Sequence, residues 1–417
     1  MGLTSLFAAV SGLNAFGNAL SVTGNNIANL STIGYKSSKA TFSDLVTSSL
    51  GGSSGSNQIG RGVFTGAILS QYTQGSLSTS GNGLDMAVDG NGFFRVRNND
   101  NAIFYSRAGQ FRVDKDGKVA DPNGNFLQGF QANPSGVLSG ALSDITLSNA
   151  ISSPQATSTG SITANLNATA TAPTAPFSSS DQSSYNFSTS MTVYDTLGSS
   201  HTLALYFVKT GAGAWNMHHE LDGLTGTTTG GSVTNPVALT FSGATGALTL
   251  PATSPVVNYT SAQVGNNASA LAVTLTISNV TQFGAPNSVS TVAQNGFASG
   301  SIAGTSIDTS GVVTGRFTNG QVRTLAQVAL SRFTNPDGLT RSGKNLLAES
   351  NASGQATTSA PNSGGTGRIL SGSLELSNVD LGEEFIDMIS AQRGFQANSR
   401  VITTTDDLLQ ELVNLRR

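Results

Sequence analysis

Residues 3–27, LTSLFAAVSGLNAFGNALSVTGNNI, set Leu3, Leu6, Val10, Leu13, Gly17, Leu20, Gly24 and Ile27 at alternating spacings of three and four. That is the a/d pattern of a helix with a coiled-coil-like seam. The other face is unusual. Residues 1–35 carry no charged side chain, and the polar positions are Ser5, Ser11, Asn14, Asn18, Ser21 and Thr23, where an ordinary surface helix carries Lys and Glu. Such a helix is either buried inside a large monomer or enclosed by copies of itself.

The far end of the chain predicts a second long helix between Asp380 and Leu415, with Leu381, Phe385, Met388, Phe395, Ile402, Leu409 and Val413 as a drifting apolar stripe. Ser377 or Asp380 can cap it, and Asp380 followed by Glu383 resembles a capping box. The remaining face carries Glu384, Asp387, Arg393, Arg400, Asp407 and Glu411, so this helix expects water on one side. Gly12, Gly17, Gly24 and Gly394 each cost about 1 kcal/mol relative to Ala. Both helices are therefore marginal alone and should gain their order from packing.

Between the helices the chain reads as β structure. Leu84, Met86 and Val88 alternate into Asp89-Gly90-Asn91-Gly92 and Phe94 and Val96 alternate out again, which predicts a hairpin. A second hairpin is expected at Asp116-Gly117, between Phe111/Val113 and Val119. From Gly223 to Ile307 there is no charged side chain, although strand patterns continue with Leu203, Leu205 and Phe207 and later with Leu271, Val273, Leu275 and Ile277. The expected fold is mixed and mainly β, with a second β domain inserted into the first. Its parts are 1–36 with 377–417 as a terminal helical domain, 37–75 as an extended or hairpin connection, 76–148 with 298–376 as a discontinuous inner β domain, and 149–297 as the outer one.

Composition narrows the function. Charged residues are 10% of 417 and the net charge is -3, with a pI of 5.6, so there is no basic field to neutralise phosphates or to hold a membrane surface. Absence of cysteine removes disulfides and thiolate metal sites. The first cation is Lys36 and the apolar residues before it are interrupted, so neither a cleavable secretory leader nor a membrane span is expected. His201, His218 and His219 have no second ligand at zinc spacing. Gly338 to Lys344 matches a phosphate-loop frame, but Asn345 stands where Ser or Thr would hold magnesium. Asp114, Asp116 and Asp121 lack the calcium-loop order. No catalytic, metal or cofactor site is expected, and the chain does not read as an enzyme.

Both ends resemble the rod and hook family of bacterial flagellar axial proteins. The resemblance is carried by Ser11-Gly12-Leu13-Asn14-Ala15, by Asn25-Asn26-Ile27-Ala28-Asn29 running on to Gly34-Tyr35-Lys36, and by Met388-Ile389-Ser390-Ala391-Gln392-Arg393-Gly394-Phe395-Gln396-Ala397-Asn398. Leu84 to Gly90, Gly92-Phe93-Phe94 and Ser106 to Phe111 look like the same family's first β domain. The stretch from Met191 through Asp195, Gly198 and His201 to Trp215 is similar to the outer domain of hook members. The resemblance implies a structural hook subunit that polymerises head-to-tail into a flexible tube carrying torque from rod to filament. A distal-rod or other axial protein, or a β-rich adhesin, remains the alternative. It also implies partners: other copies of the chain, rod, hook-cap and hook-filament junction proteins, and a type III export apparatus that passes the subunit to the cell exterior without a cleaved leader. Leu3, Leu6, Val10, Leu13, Leu20, Ile27, Leu381, Phe385, Met388, Phe395, Ile402 and Leu409 are the expected subunit interface. Asn25, Asn26, Asn29, Gly34, Tyr35, Gln392, Arg393, Gly394, Phe395 and Asn398 are the family-motif positions.

Overall fold

The apolar period at the N-terminus is realised as one helix, Gly2–Ala28, and the C-terminal stripe as another, Leu381–Asn414. The computed structural model describes residues 2–46, 60–147, 151–229 and 235–414, with the side chains at 2–4, 46, 227–229, 412 and 413 outside that set. Leu3 and Val413 of the expected stripes are among these. Asp380 caps the C-terminal helix, its Oδ1 accepting from the Gly382 and Glu383 N–H groups at 2.7 and 3.2 Å. The reciprocal Glu383 bond of a capping box is absent among the described residues. By length and a mean hydropathy of 1.2, Ser5–Ala28 is apolar enough to cross a membrane, because Gly and Ala sustain the average between the Leu positions.

The chain divides into two units, Met1–Asn149 with Gly304–Arg316 and Val322–Arg417, and Ala150–Ala303 with Phe317–Gln321. In the first, the two helices pack together, and the N-terminal one packs against an antiparallel hairpin, Ser38–Val46 with Gly60–Ser70. A 13-stranded sheet follows, drawing on segments before and after the second unit. Val322–Val328 pairs with Phe126–Ala132 and Leu330–Arg332 with Phe93–Arg97, so the unit closes only when the chain returns. Phe93, Tyr105 and Phe333 form edge-on aromatic pairs in one of its cores.

The hairpin expected across Asp89 to Gly92 does not form. Met86–Asp89 pairs instead with Arg368–Ser371, and Phe93–Arg97 pairs with Ile103–Ser106. Gly90 and Gly92, at φ 104° and 128°, redirect the chain between two ladders. Met86, Ala87 and Val88 are all buried, so the strand has no solvent face. The hairpin expected at Asp116-Gly117 is present, pairing Arg112–Val113 with Val119–Ala120.

The second unit holds two six-stranded sheets around one core. Leu203, Leu205 and Phe207 from Ser200–Gly211 face that core, as do Leu271, Val273 and Leu275 from Leu271–Thr276, with Trp215 and Tyr259 its largest members. The charge-free sequence after Gly223 thus supplies real strands, with Val237, Leu239, Val257, Val273 and Leu275 inside and Leu250, Phe283 and Val292 exposed.

Candidate assembly surface

Contact between the terminal helices is built from small residues. A Cβ on Gly12 would stand 2.7 Å from Asn398 Oδ1, and one on Gly394 would stand 2.5 Å from the Phe16 ring. Ala9, Ala15, Thr23 and Asn26 are buried, so the face used within the chain runs beside the leucine seam. Leu6, Leu13, Leu20, Ile27, Met388, Phe395 and Ile402 are left half-buried, and Val10, Leu381, Phe385 and Leu409 are exposed. Four helix residues outside the expected set are barer still: Phe7 at 67%, Ile386 at 66%, Leu408 at 58% and Ile389 at 49% exposure. The two helices thus leave large apolar side chains open to solvent in the single chain.

Beneath the helices a polar joint ties both chain ends to the first β region. The Tyr35 hydroxyl donates to Asn26 Oδ1 at 3.2 Å, the Ser38 N–H donates to the same oxygen, and Asn26 Nδ2 donates to Glu384 Oε1 at 2.7 Å. Burial raises the Glu384 pKa against the opposing Asn26 bond, and Asp387 and Glu383 add to the rise. Ser37 N–H donates to Asn378 Oδ1, whose Nδ2 reaches Gln71 O and Thr73 Oγ1. At the centre, Glu375 is fully buried and accepts from Lys36 Nζ at 2.6 Å, Arg107 Nη1 at 3.2 Å and the Gly75 N–H. Burial lowers the pKa of Lys36 and of Arg107, and Glu375 opposes both shifts. Gly34 admits this junction: at φ +69°, a Cβ there would meet the Ala108 backbone nitrogen at 2.5 Å.

The motif positions therefore have distinct local duties. Asn25 and Asn29 bond each other one helical turn apart, and Asn398 Nδ2 donates to the Gly394 carbonyl. Gln392 and Arg393 are exposed. Sequence reading missed Lys36, Arg107 and Glu375 as a cluster, although Glu375 is the sole acidic residue between Glu349 and Asp380.

In the second unit His201 lies between Asp222 at 2.7 Å and Asp195 at 3.3 Å. Burial works against its charge, but the two carboxylates raise its pKa overall. Asp195 is pushed up by burial, yet bonds from Asn266, the Ser199 N–H and His201 hold it at about 2. His219, buried against the Tyr259 hydroxyl at 2.8 Å, is lowered to about 4 by burial and by the neighbouring His218. The His201 cluster clamps turns, and the His219–Tyr259 bond joins a strand of one sheet to a strand of the other. Among the described residues no group of three or more His, Asp or Glu is placed to hold a metal ion. The phosphate-loop frame is a strand, Thr340–Gly343, leading to Lys344 at φ 53°, with no helix to receive a phosphate.

Four family models match in chain order: "Flagella basal body rod protein" at residues 6–36, "Flagellar hook protein FlgE/F/G D1 domain" at 87–164, "Flagellar basal body protein FlaE D2 domain" at 165–297, and "Flagellar basal body rod FlgEFG protein C-terminal" at 370–415. The flagellar hook protein FlgE of Salmonella typhimurium is 38% identical over 98% of this chain and 99% of its own. The chain belongs to the flagellar hook protein family. FlgE of Escherichia coli is 37% identical, covering 98% of this chain and 99% of its own. A solved structure, Helicobacter pylori flagellar hook protein FlgE2, has a TM-score of 0.47 at 15% identity, covering 70% of this chain and 98% of that one. As a flagellar hook protein the chain is a structural subunit of the hook and not an enzyme. The full-length match to hook relatives carries this reading past the distal-rod alternative and the adhesin.

Proposed function

We propose that hook subunits of this sequence join head-to-tail through the apolar faces of their terminal helices, with Leu6, Val10, Leu13, Leu20, Ile27, Leu381, Phe385, Met388, Phe395, Ile402 and Leu409 buried between copies, and Leu3 with them. The supporting observation is the exposure of large apolar side chains on both helices in the single chain. Contacts that do not close into a ring generate a helical tube. In this reading the uncharged N-terminal helix sits among neighbours and the C-terminal helix turns its charged face to a wet lumen. Residues 37–75 connect these helices to the inner β domain, 76–148 with 298–376, and 149–297 forms the outer surface.

The partners in this reading are the rod below, the cap and hook-filament junction proteins above, and the type III apparatus that exports the subunit to the cell exterior. The family resemblance and the absence of cysteine support the export route. Deleting residues 1–28 or 381–417 tests the assembly reading. Purified protein lacking either segment should stay monomeric while keeping its β structure, and tubes formed by either truncation would overturn it.

A further inference from the structure

Two surfaces of the first unit carry charge that the single chain leaves uncompensated. One is a cleft of about 220 Å³ walled by Tyr35, Tyr72 and Phe93, with Arg107 and Lys36 at its base and Arg341 and Lys344 exposed at its mouth. The Arg341 guanidinium lies 5.5 Å from the centre of the Tyr35 ring, and its Nη2 donates to Lys36 O and Ser70 Oγ. Two carboxylates lie near these four cations: Glu375, buried and shared by Lys36 and Arg107, and Asp337, in the adjoining groove beside Arg341. The cleft is thus positive in a chain whose net charge is -3.

The other surface is a groove of about 240 Å³ where the C-terminal helix begins. Asp380, Glu383, Glu384 and Asp387 line it against the one cation Lys39, above a floor that includes Phe16. Asp380 is occupied as the helix cap and Glu384 by Asn26. Glu383 and Asp387 remain exposed four residues apart on the helix, a like-charge spacing that destabilises a helix unless a cation relieves it. Their proximity is felt at Glu384, whose carboxyl pKa both help to raise, behind burial as the larger cause.

We propose that the cationic cleft of one copy seats the acidic helix start of another, with Glu383 and Asp387 facing Arg341 and Lys344. The inference rests on the chain being a polymer subunit, and it assigns one heterologous contact of that polymer. Opposite charge brings the two surfaces together and fixes register, and the aromatic walls exclude water from the pairs. Because the contact joins different surfaces, it can repeat from copy to copy, and it builds a helix when its rotation does not close a ring.

The test uses two reversed full-length proteins, R341E/K344E and E383K/D387K, with sedimentation and electron microscopy of polymer as the readout. Each alone opposes like charges at the contact and should lower polymer yield by about tenfold or more. An equimolar mixture should restore it, because every negative cleft then finds a positive groove and every positive cleft a negative one. Normal polymer from either protein alone, or a mixture as monomeric as its components, overturns the proposal. If reversal unfolds a protein by circular dichroism, the neutral R341Q/K344Q replaces it. That variant should lose most of the parent's salt dependence of polymerisation, and an unchanged dependence overturns the contact. A parent that does not polymerise in the same buffer counts against the subunit reading on which the contact rests.

Discussion

Glu375 and Lys36 stand 339 residues apart in the chain, and their charged atoms meet at 2.6 Å with both side chains almost wholly out of water. Arg107 completes the cluster from the first β region. The start of the chain, its end and the sheet between them therefore share one carboxylate. This joint stands where the helical pair meets the β region.

Removing the Glu375 charge should be costly. Glu375→Gln leaves Lys36 and Arg107 buried without their counter-ion, and breaking a buried pair from one side costs about 3–5 kcal/mol. Urea unfolding of the purified monomer should show the loss. A change under about 1 kcal/mol would mean that water reaches the site and screens it.

Gly34→Ala should destabilise the same joint by about 2 kcal/mol or more, since a left-handed backbone is unfavourable for Ala and the neighbour is rigid. The atoms it would meet belong to the backbone of Arg107 and Ala108, which cannot swing aside as a side chain can. Thermal melting checks this, and a melting temperature equal to the parent's would show that the junction has room.

Acid should weaken the second unit through His219. Its folded pKa of about 4 lies below the ordinary 6.5, so the unfolded chain binds the proton more readily. Its contribution is complete above the unfolded value and is lost as pH falls from 6.5 toward 4, on the order of 3 kcal/mol in all. His201 has the opposite sign: its pKa is raised, so its contribution is complete below 6.5 and is lost as pH rises through the higher value. His219→Gln should flatten stability measured by denaturant between pH 7 and 4.5. An unaltered slope would place the acid sensitivity elsewhere.

The neutral surface of the second unit should govern how easily the hook bends. Ala252 and Thr253 are exposed in the charge-free stretch, and exposed Ser, Thr and Asn make weak, interchangeable contacts where ion pairs would favour fixed registers. Alternating Glu and Lys at such positions should stiffen the hook in bending measurements on tethered flagella. Several charged variants with the parent's stiffness would remove the basis for the idea.

Legibility in the sequence followed the range of the interaction. Both helices could be read because Leu6, Val10 and Leu13, or Phe385 and Met388, repeat within a turn or two. The hairpin at Asp116-Gly117 was equally local. Met86–Asp89 was misassigned because its partner, Arg368–Ser371, lies far along the chain and no spacing rule reaches that distance. The packed face of the N-terminal helix was overlooked for another reason. Ala9, Gly12 and Ala15 give little hydropathy contrast beside Leu13, and Gly12 and Gly394 were read as losses in helix propensity when they are points of close approach. Lys36, Arg107 and Glu375 could not be joined without the fold, although the sole carboxylate between Glu349 and Asp380 was a usable sign.

The N-terminal helix, Gly2–Ala28, contains no ionisable side chain. Protonation and charge screening, the two ways in which acidity and ionic strength act on ion pairs, therefore have no side chain to act on in this helix. On the assembly proposed above, the layer this helix forms should respond less to changes of pH and ionic strength than the charged lumen face of the C-terminal helix or the contacts that pair opposite charges.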